Sequence, residues 1–350
     1  MLHICNQFQL KAPALTYERY GNGHINETYL VKTDNGPDYI LQKLSTQAFH
    51  DIPALMRNVE LVTAHLSAKY TDPRSCLRLV PTVEGNCFLH TDSGDYRVYD
   101  FVTDSVTLDR PERPLDLYQC AHAFGQFQKD LMDFPAAELS ETILRFHDTP
   151  SRYEAFHAAI AADKMGRVKE CQAEIDFALA HEQEAGTLMG LLQEGKLPLR
   201  VTHNDTKLNN VMLDAATHDP ECVIDLDTVM PGLAAFDFGD LVRFGASTGA
   251  EDEKDLSKIA VSLPDYEQLL QGFLDACGDC LTPTEVETLP LGGKLMTLEC
   301  GVRFLTDYLS GDVYFRIHRP EHNLDRCRTQ FKLVASMEEH WAEMMAAVKG

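Results

Sequence analysis

Positive charge is what this chain has least of. Its 31 Lys and Arg face 54 Asp and Glu, a formal net charge of −23. Such a surface repels phosphodiester backbones, so nucleic acid is excluded as an expected partner. It repels a nucleoside triphosphate as well, unless a metal ion and a few placed cations neutralise the phosphates locally. Long apolar runs are also missing. No stretch is long enough to cross a bilayer, and Met1 to Leu10 lack the basic start and apolar core of a signal peptide. A cytoplasmic protein with no membrane partner is the expectation. Internal repeats and low-complexity tracts are absent too. The ten cysteines do not space out as a disulfide framework. Cys277 and Cys280 form one C-x-x-C, but no second pair at zinc-site spacing follows it, so they read as two reduced thiols near a helix end.

What is present divides the chain in two. Leu15 to Tyr20, His24 to Val31 and Tyr39 to Leu44 alternate as strands, and the turn Asp34-Asn35-Gly36-Pro37 separates the last two. Leu55, Met56, Val59, Val62 and Leu66 recur at helical spacing within Ile52 to Lys69. Asn86 to His90 and Tyr96 to Val102 read as two more strands. Beyond Pro111 the chain turns helical, over Leu117 to Met132, Arg152 to Glu194, Tyr266 to Cys277, Thr284 to Leu309 and Asn323 to Val348. Two short strands, Val211 to Leu213 and Cys222 to Ile224, interrupt it. The fold class expected is α+β and bilobal, with a strand-rich N-terminal lobe (residues 1–102) and a helical C-terminal lobe (103–350).

The chemistry concentrates in His203-Asn204-Asp205-Thr206-Lys207-Leu208-Asn209-Asn210. Phosphoryl transfer asks for an acceptor hydroxyl aimed at the γ-phosphate and for charge neutralised around it. Asp205 can accept the hydroxyl proton, Lys207 can reach the transferring phosphate, and the amide oxygen of Asn210 can ligate Mg²⁺ without adding charge. The spacing matches a protein-kinase catalytic loop. Ile224-Asp225-Leu226-Asp227 follows, where an apolar strand ends in acid. Asp225 stands as a second hard oxygen ligand for Mg²⁺, with Asp227 assisting. A lone D-x-D would also suit a metal-dependent glycosyltransferase, but that reading leaves the catalytic loop unexplained.

The N-terminal lobe is expected to clamp the nucleotide. Gly21-Asn22-Gly23 makes a turn whose amides could approach phosphates, with Gly21 and Gly23 the candidates. Compared with the V-A-I-K strand of kinases, Tyr39-Ile40-Leu41-Gln42 puts Gln42 where the lysine belongs, and alternation points Lys43 to the opposite face. Glu60, on the following helix, is the candidate partner of that strand residue.

His203 to Asn210 together with Asp225 resembles the aminoglycoside-phosphotransferase and choline-kinase-like family. Longer stretches are similar to a narrower group, the bacterial N-acetylhexosamine 1-kinases. They are Gly23-His24-Ile25-Asn26-x-Thr28-Tyr29-Leu30-Val31, residues 55–62, Phe146-His147-Asp148-Thr149-Pro150, residues 199–202, Asp237-Phe238-Gly239-Asp240 and Arg303-Phe304-Leu305. The resemblance implies the bilobal kinase fold, ATP and Mg²⁺ as cofactors, and transfer of the γ-phosphate to the anomeric hydroxyl of GlcNAc or GalNAc. It implies sugar contacts from His24 and Arg303, a pocket lined by Tyr314 and Phe244, and orientation of the hydroxyl by Asp205. It places adenine against the backbone of Asp100, Phe101 and Val102. Asp237 is expected to brace the catalytic loop, and the chain is expected to act as a monomer. Two other readings stay open: a kinase of the same fold acting on another sugar, an amino alcohol or an aminoglycoside, and a non-catalytic binding protein on a kinase scaffold, for which Gln42 is the one feature in favour.

Overall fold

The computed structural model describes residues 1–21 and 25–349. After a one-turn helix, α1 (Leu2–Cys5), six strands build a single sheet: β1 (Ala14–Arg19), β2 (Glu27–Thr33), β3 (Tyr39–Lys43), β4 (Leu79–Val80), β5 (Leu89–Thr91) and β6 (Gly94–Asp100). Their spatial order is β1-β2-β3-β6-β4, with β5 beside β6, and the ladders are antiparallel. Thr28 lies opposite Gln42 across β2 and β3, and Gln42 lies opposite Arg97 across β3 and β6.

Helix α2 (Ile52–Lys69) runs between β3 and β4, with the bounds read from the sequence. The Asp51 side chain accepts from the Ala54 amide at 2.9 Å and caps its start. Its apolar stripe of Leu55, Met56, Val59 and Val62 is fully buried. Burial of such side chains stabilises by about 1.5–3 kcal/mol each. The stripe packs on Leu226 and Val229, far along the chain, so the strand-rich and helical regions share a core.

The chain leaves the first sheet at Asp100 and enters a second one at β7 (Ser105–Val106). Helices α3 (Asp116–Asp130), α4 (Thr149–Ala162), α5 (Gln172–Ala185) and α6 (Thr187–Gln193) follow. The sequence reading took Arg152 to Glu194 as one long helical stretch. It breaks at Asp163 and Gly166, both in the left-handed region, and again at Gly186. Then come β8 (Arg200–Thr202), β9 (Val211–Asp214), β10 (Pro220–Val223) and β11 (Met230–Gly232). β9 is flanked by β7 and β10, while β8 pairs with β11. The remainder is α7 (Ala234–Gly245), α8 (Leu263–Cys277), α9 (Pro283–Ser310), α10 (His322–Glu339) and α11 (Trp341–Ala347).

Helix α9 opens with a capping box between Thr282 and Glu285. It then crosses α7 at very short range. A Cβ on Gly239 would lie 2.4 Å from the Gly292 carbonyl, and one on Gly292 would lie 2.1 Å from that of Ala235. Only glycine fits at either point, and the crossing presses α7 against the loop that follows β8. Among the described residues no helix is long and apolar enough to cross a membrane.

Candidate active site

The short hairpins β8/β11 and β9/β10 deliver two acidic turns to one place. The loop after β8 carries Asp205, and the turn after β10 carries Asp225. Lys207 Nζ reaches both oxygens of Asp205, at 2.8 and 2.9 Å. Asn210 Nδ2 donates to the Asp205 carbonyl at 2.8 Å and to its carboxylate Oδ2 at 3.1 Å. Burial opposes the charge on Lys207, but Asp205, with Asp240 and Asp225 behind it, outweighs this and raises its pKa.

Buried carboxylates fix this loop from beneath. Asp237, on α7 and without solvent exposure, accepts from the amides of His203 at 2.9 Å and Asn204 at 2.8 Å, and from Gln128 Nε2 at 2.6 Å. Asp240, one turn on, accepts from the Thr206 amide at 3.0 Å and is paired with Arg243. His203 accepts from the Asp205 amide at Nδ1, which leaves Nε2–H to donate to the Ile224 carbonyl at 2.8 Å. Asn204 and Asp225 both adopt left-handed backbone, at φ 64° and 61°. Asn and Asp tolerate it best among residues with a Cβ.

The two carboxylates after β10 have opposite surroundings. Asp227 is 4% exposed, forms an ion pair with Arg97 and accepts from Asn26 Nδ2 at 2.6 Å, so both its oxygens are taken. Asp225 is reached by solvent and no protein donor engages it among the described residues. Crowding by the surrounding protein, then the like charges of Asp227 and Asp205, push its pKa up to about 6. Since solvent reaches the group, the like charges weigh more than dehydration. Asp225 and the Asn210 amide are therefore the oxygens open to a hard cation. The engagement of both Asp227 oxygens speaks against the expected ligand role there.

On the strand-rich side the expected pairing of Gln42 with Glu60 does not form among the described residues. Gln42 donates to Thr28 Oγ1 at 3.0 Å and accepts from Arg97 Nε at 2.9 Å. Lys43 lies on the other face, against Gly94. Glu60 does not meet Gln42. It is exposed beside Cys87, one turn beyond Met56, and it is the Met56 Sδ that lies 3.8 Å from Arg97 Nη1. Between the two sheets, the Asp100 amide is used by the Arg78 carbonyl and that of Phe101 by Asp38. The Val102 amide meets no backbone acceptor among the described residues. Gly21 is left-handed at φ 72° with open space around it. Gly23 and His24 lie outside the described residues.

Arg303, on α9, stands among aromatics. Its guanidinium lies 5.2 Å from the centre of the Phe146 ring, 5.5 Å from Phe315 and 5.9 Å from Tyr314. It forms no ion pair with Glu299, whose oxygens take His147 Nδ1 at 3.0 Å and Thr149 Oγ1 at 2.8 Å. His147 in turn reaches the Asn204 carbonyl at 3.5 Å, linking this corner to the catalytic loop. Tyr314 is 67% exposed, on a loop whose amides at Val313, Tyr314 and Phe315 all donate to buried Asp307. Phe244 sits apart from that loop, 5.8 Å beneath the Lys207 ammonium. Arg97, Asn26, Met56, Phe315 and Asp307 escaped the sequence reading as site residues. Their roles depend on strand register and loop anchoring, although Asn26 and Met56 fall within stretches singled out from sequence.

The sequence profile described as "Phosphotransferase enzyme family" matches residues 16–272. Among solved structures, an aminoglycoside phosphotransferase from Alicyclobacillus acidocaldarius superposes with TM-score 0.62 at 12% identity, covering 99% of this chain and 94% of that one. A microcompartment-associated aminopropanol kinase gives 0.62 at 15%, over 98% and 97% of the two chains. An amicoumacin kinase in complex with AMP-PNP and Ca²⁺ gives 0.59 at 14%, over 90% and 87%. At such identities the likeness is one of fold.

Proposed function

The chain belongs to the phosphotransferase enzyme family, and from that premise we propose that it transfers the γ-phosphate of ATP to the anomeric hydroxyl of an N-acetylhexosamine, GlcNAc or GalNAc. The observation that carries phosphoryl transfer is the Asp205 carboxylate held by Lys207 and Asn210 beside an Asp225 that no protein donor engages among the described residues; the acceptor is inferred from the stretches similar to N-acetylhexosamine 1-kinases. Residues 1–102 act as the nucleotide-clamping lobe and 103–350 as the lobe bearing the catalytic loop and acceptor site. Asp205 orients the acceptor hydroxyl and takes its proton as the oxygen attacks. Lys207 stabilises the charge gathering on the transferring phosphoryl group. Asn210 and Asp225 would hold Mg²⁺, which when bound offsets phosphate charge; their hard oxygens suit it, and an amicoumacin kinase of this fold was solved with AMP-PNP and Ca²⁺. The Val102 amide is the free donor for adenine.

The acceptor corner argues for a neutral, hydroxyl-rich ligand. Arg303 has no carboxylate partner among the described residues, and Arg152 lies close enough that, after burial, the Arg303 charge lowers its pKa. Buried Glu299 offsets part of this charge, but His147 and Thr149 engage its oxygens, so the guanidiniums disfavour a cationic acceptor. The relatives named for aminopropanol and aminoglycosides, and the net charge of −23, favour the second reading, an amine-bearing acceptor. Net charge is spread over the surface, whereas the arginines stand at the corner in question. Release of ADP, followed with GlcNAc, GalNAc, galactose, choline and an aminoglycoside, separates the readings. Turnover of an N-acetylated sugar is expected; turnover of choline or the aminoglycoside alone would overturn the substrate claim.

A further inference from the structure

Arg97 is a full charge buried in a sheet, 1% exposed, in a chain whose 31 Lys and Arg are outnumbered by 54 Asp and Glu. Its surroundings are specific. Nε is fixed by Gln42 Oε1, Gln42 is fixed by Thr28, and Nη1 pairs with Asp227. From the other side Asn26 grips Asp227, while its own Oδ1 accepts from the Ser45 amide at 3.0 Å. Three strands and the β3–α2 connection thus converge on one carboxylate that belongs to the opposite lobe.

That carboxylate is two residues from Asp225. The short turn Leu226–Thr228, which contains Asp227, follows Asp225 directly. Its far side is tied to the catalytic loop, since Thr228 Oγ1 donates to the His203 carbonyl at 2.7 Å and Asn204 Nδ2 to the Thr228 carbonyl at 2.9 Å. The turn is therefore clamped between Arg97 and the loop that carries Asp205. Meanwhile Gln42, where a strand lysine is expected, is neutral and accepts from Arg97 Nε, and Met56 rather than Glu60 is the α2 side chain that reaches Arg97. A buried ion pair is no better an adhesive than an apolar pair of similar volume. What it adds is a fixed direction.

We propose that Arg97 is a positioning residue: by holding Asp227 across the lobe boundary it presents Asp225 to the divalent cation, and this trans-lobe pair replaces the pairing of Gln42 with Glu60 that does not form among the described residues. The inference rests on the phosphotransfer reading above, but not on the identity of the acceptor.

The test uses the whole protein with Mn²⁺ and ADP as probes. Free Mn²⁺ is followed by electron paramagnetic resonance, and unfolding by thermal denaturation. The double variant Arg97→Met with Asp227→Leu keeps an apolar pair at the boundary. It is expected to fold, yet to bind Mn²⁺ in the presence of ADP about 10- to 100-fold more weakly, as loss of supporting contacts around a metal ligand does. Arg97→Lys, which keeps the charge but not the fork, is expected to fall between parent and double variant. Parental Mn²⁺ affinity in the folded double variant would overturn the role of Arg97 and leave only adhesion. Should the double variant not fold, Asp227→Asn gives the same decision by the same measurement. Failure of the parent itself to bind Mn²⁺ with ADP would contradict the phosphotransfer reading rather than the role of Arg97.

Discussion

The catalytic loop and the loop that carries Tyr314 are built alike and finished differently. Each hangs its backbone amides on a buried carboxylate, Asp237 in one case and Asp307 in the other. Beneath the catalytic loop lie further supports, Asp240, His203 and Gln128, and its acting side chains bind one another. The loop at 313–315 has a fixed backbone, but Val313 and Tyr314 stand largely in solvent. Chemistry common to a family needs reacting groups held within fractions of an ångström. Choice of acceptor needs a surface that can vary while its frame stays put.

The largest expected effect is on the rigid side. Asp205→Asn is expected to fold as the parent does and lose about 100- to 10,000-fold in turnover, the span for removal of a general base. Unchanged turnover would remove Asp205 from the chemistry. Next is Asp237→Ala. Two loop amides and the Gln128 amide lose their acceptor in a site without solvent, so unfolding in urea should show a loss of about 3 kcal/mol or more. A loss under about 0.5 kcal/mol, the level of a surface change, would mean that the loop is not held as described. On the variable side, Asp307→Ala should free the amides at 313–315 and raise the acceptor KM about tenfold, leaving nucleotide affinity untouched. Arg303→Met should also act through acceptor KM, by about tenfold or less. A fall in kcat with KM unchanged would place Arg303 in the chemistry instead of in recognition.

The smallest effect is a pH dependence. The Asp225 carboxyl is raised to about 6 in the fold, so the cation-free protein holds a proton that the unfolded chain gives up earlier. Its contribution to stability accordingly falls as pH rises from the ordinary carboxylate range through about 6. A divalent cation binds the ionised form and reverses that loss. The increase in Tm on adding Mg²⁺ is expected to be largest near about pH 8 and to shrink below about pH 6. A cation effect that grows toward acid would contradict ligation by Asp225.

Much of this was legible from residues alone, where the signal is local. The run from His203 to Asn210 carries the spacing of a phosphotransfer loop, and the stripe of α2 states both its ends and its buried face. What was hidden depends on pairing between distant segments. Nothing near Arg97 in the sequence says that β6 will lie beside β3 and set it against Gln42. Analogy draws Glu60 toward Gln42, yet the phase of α2 leaves Glu60 exposed and sets Met56 against Arg97 instead. The sequence ranks Asp225 as the ligand and Asp227 as its assistant, and only the tertiary contacts of Asp227 show both its oxygens engaged elsewhere. The break at Asp163 was missed because one left-handed residue outweighs a helical composition around it.

The central claim is that the loop held by Asp237 phosphorylates the anomeric hydroxyl of a neutral N-acetylated sugar. Phosphorus NMR of the product from ATP, Mg²⁺ and GlcNAc or GalNAc addresses it directly. A new signal split by coupling to the anomeric proton, growing as ATP turns to ADP, is the result predicted. A phosphate ester at another carbon, or esterification of choline or the aminoglycoside while both sugars stay untouched, would contradict it.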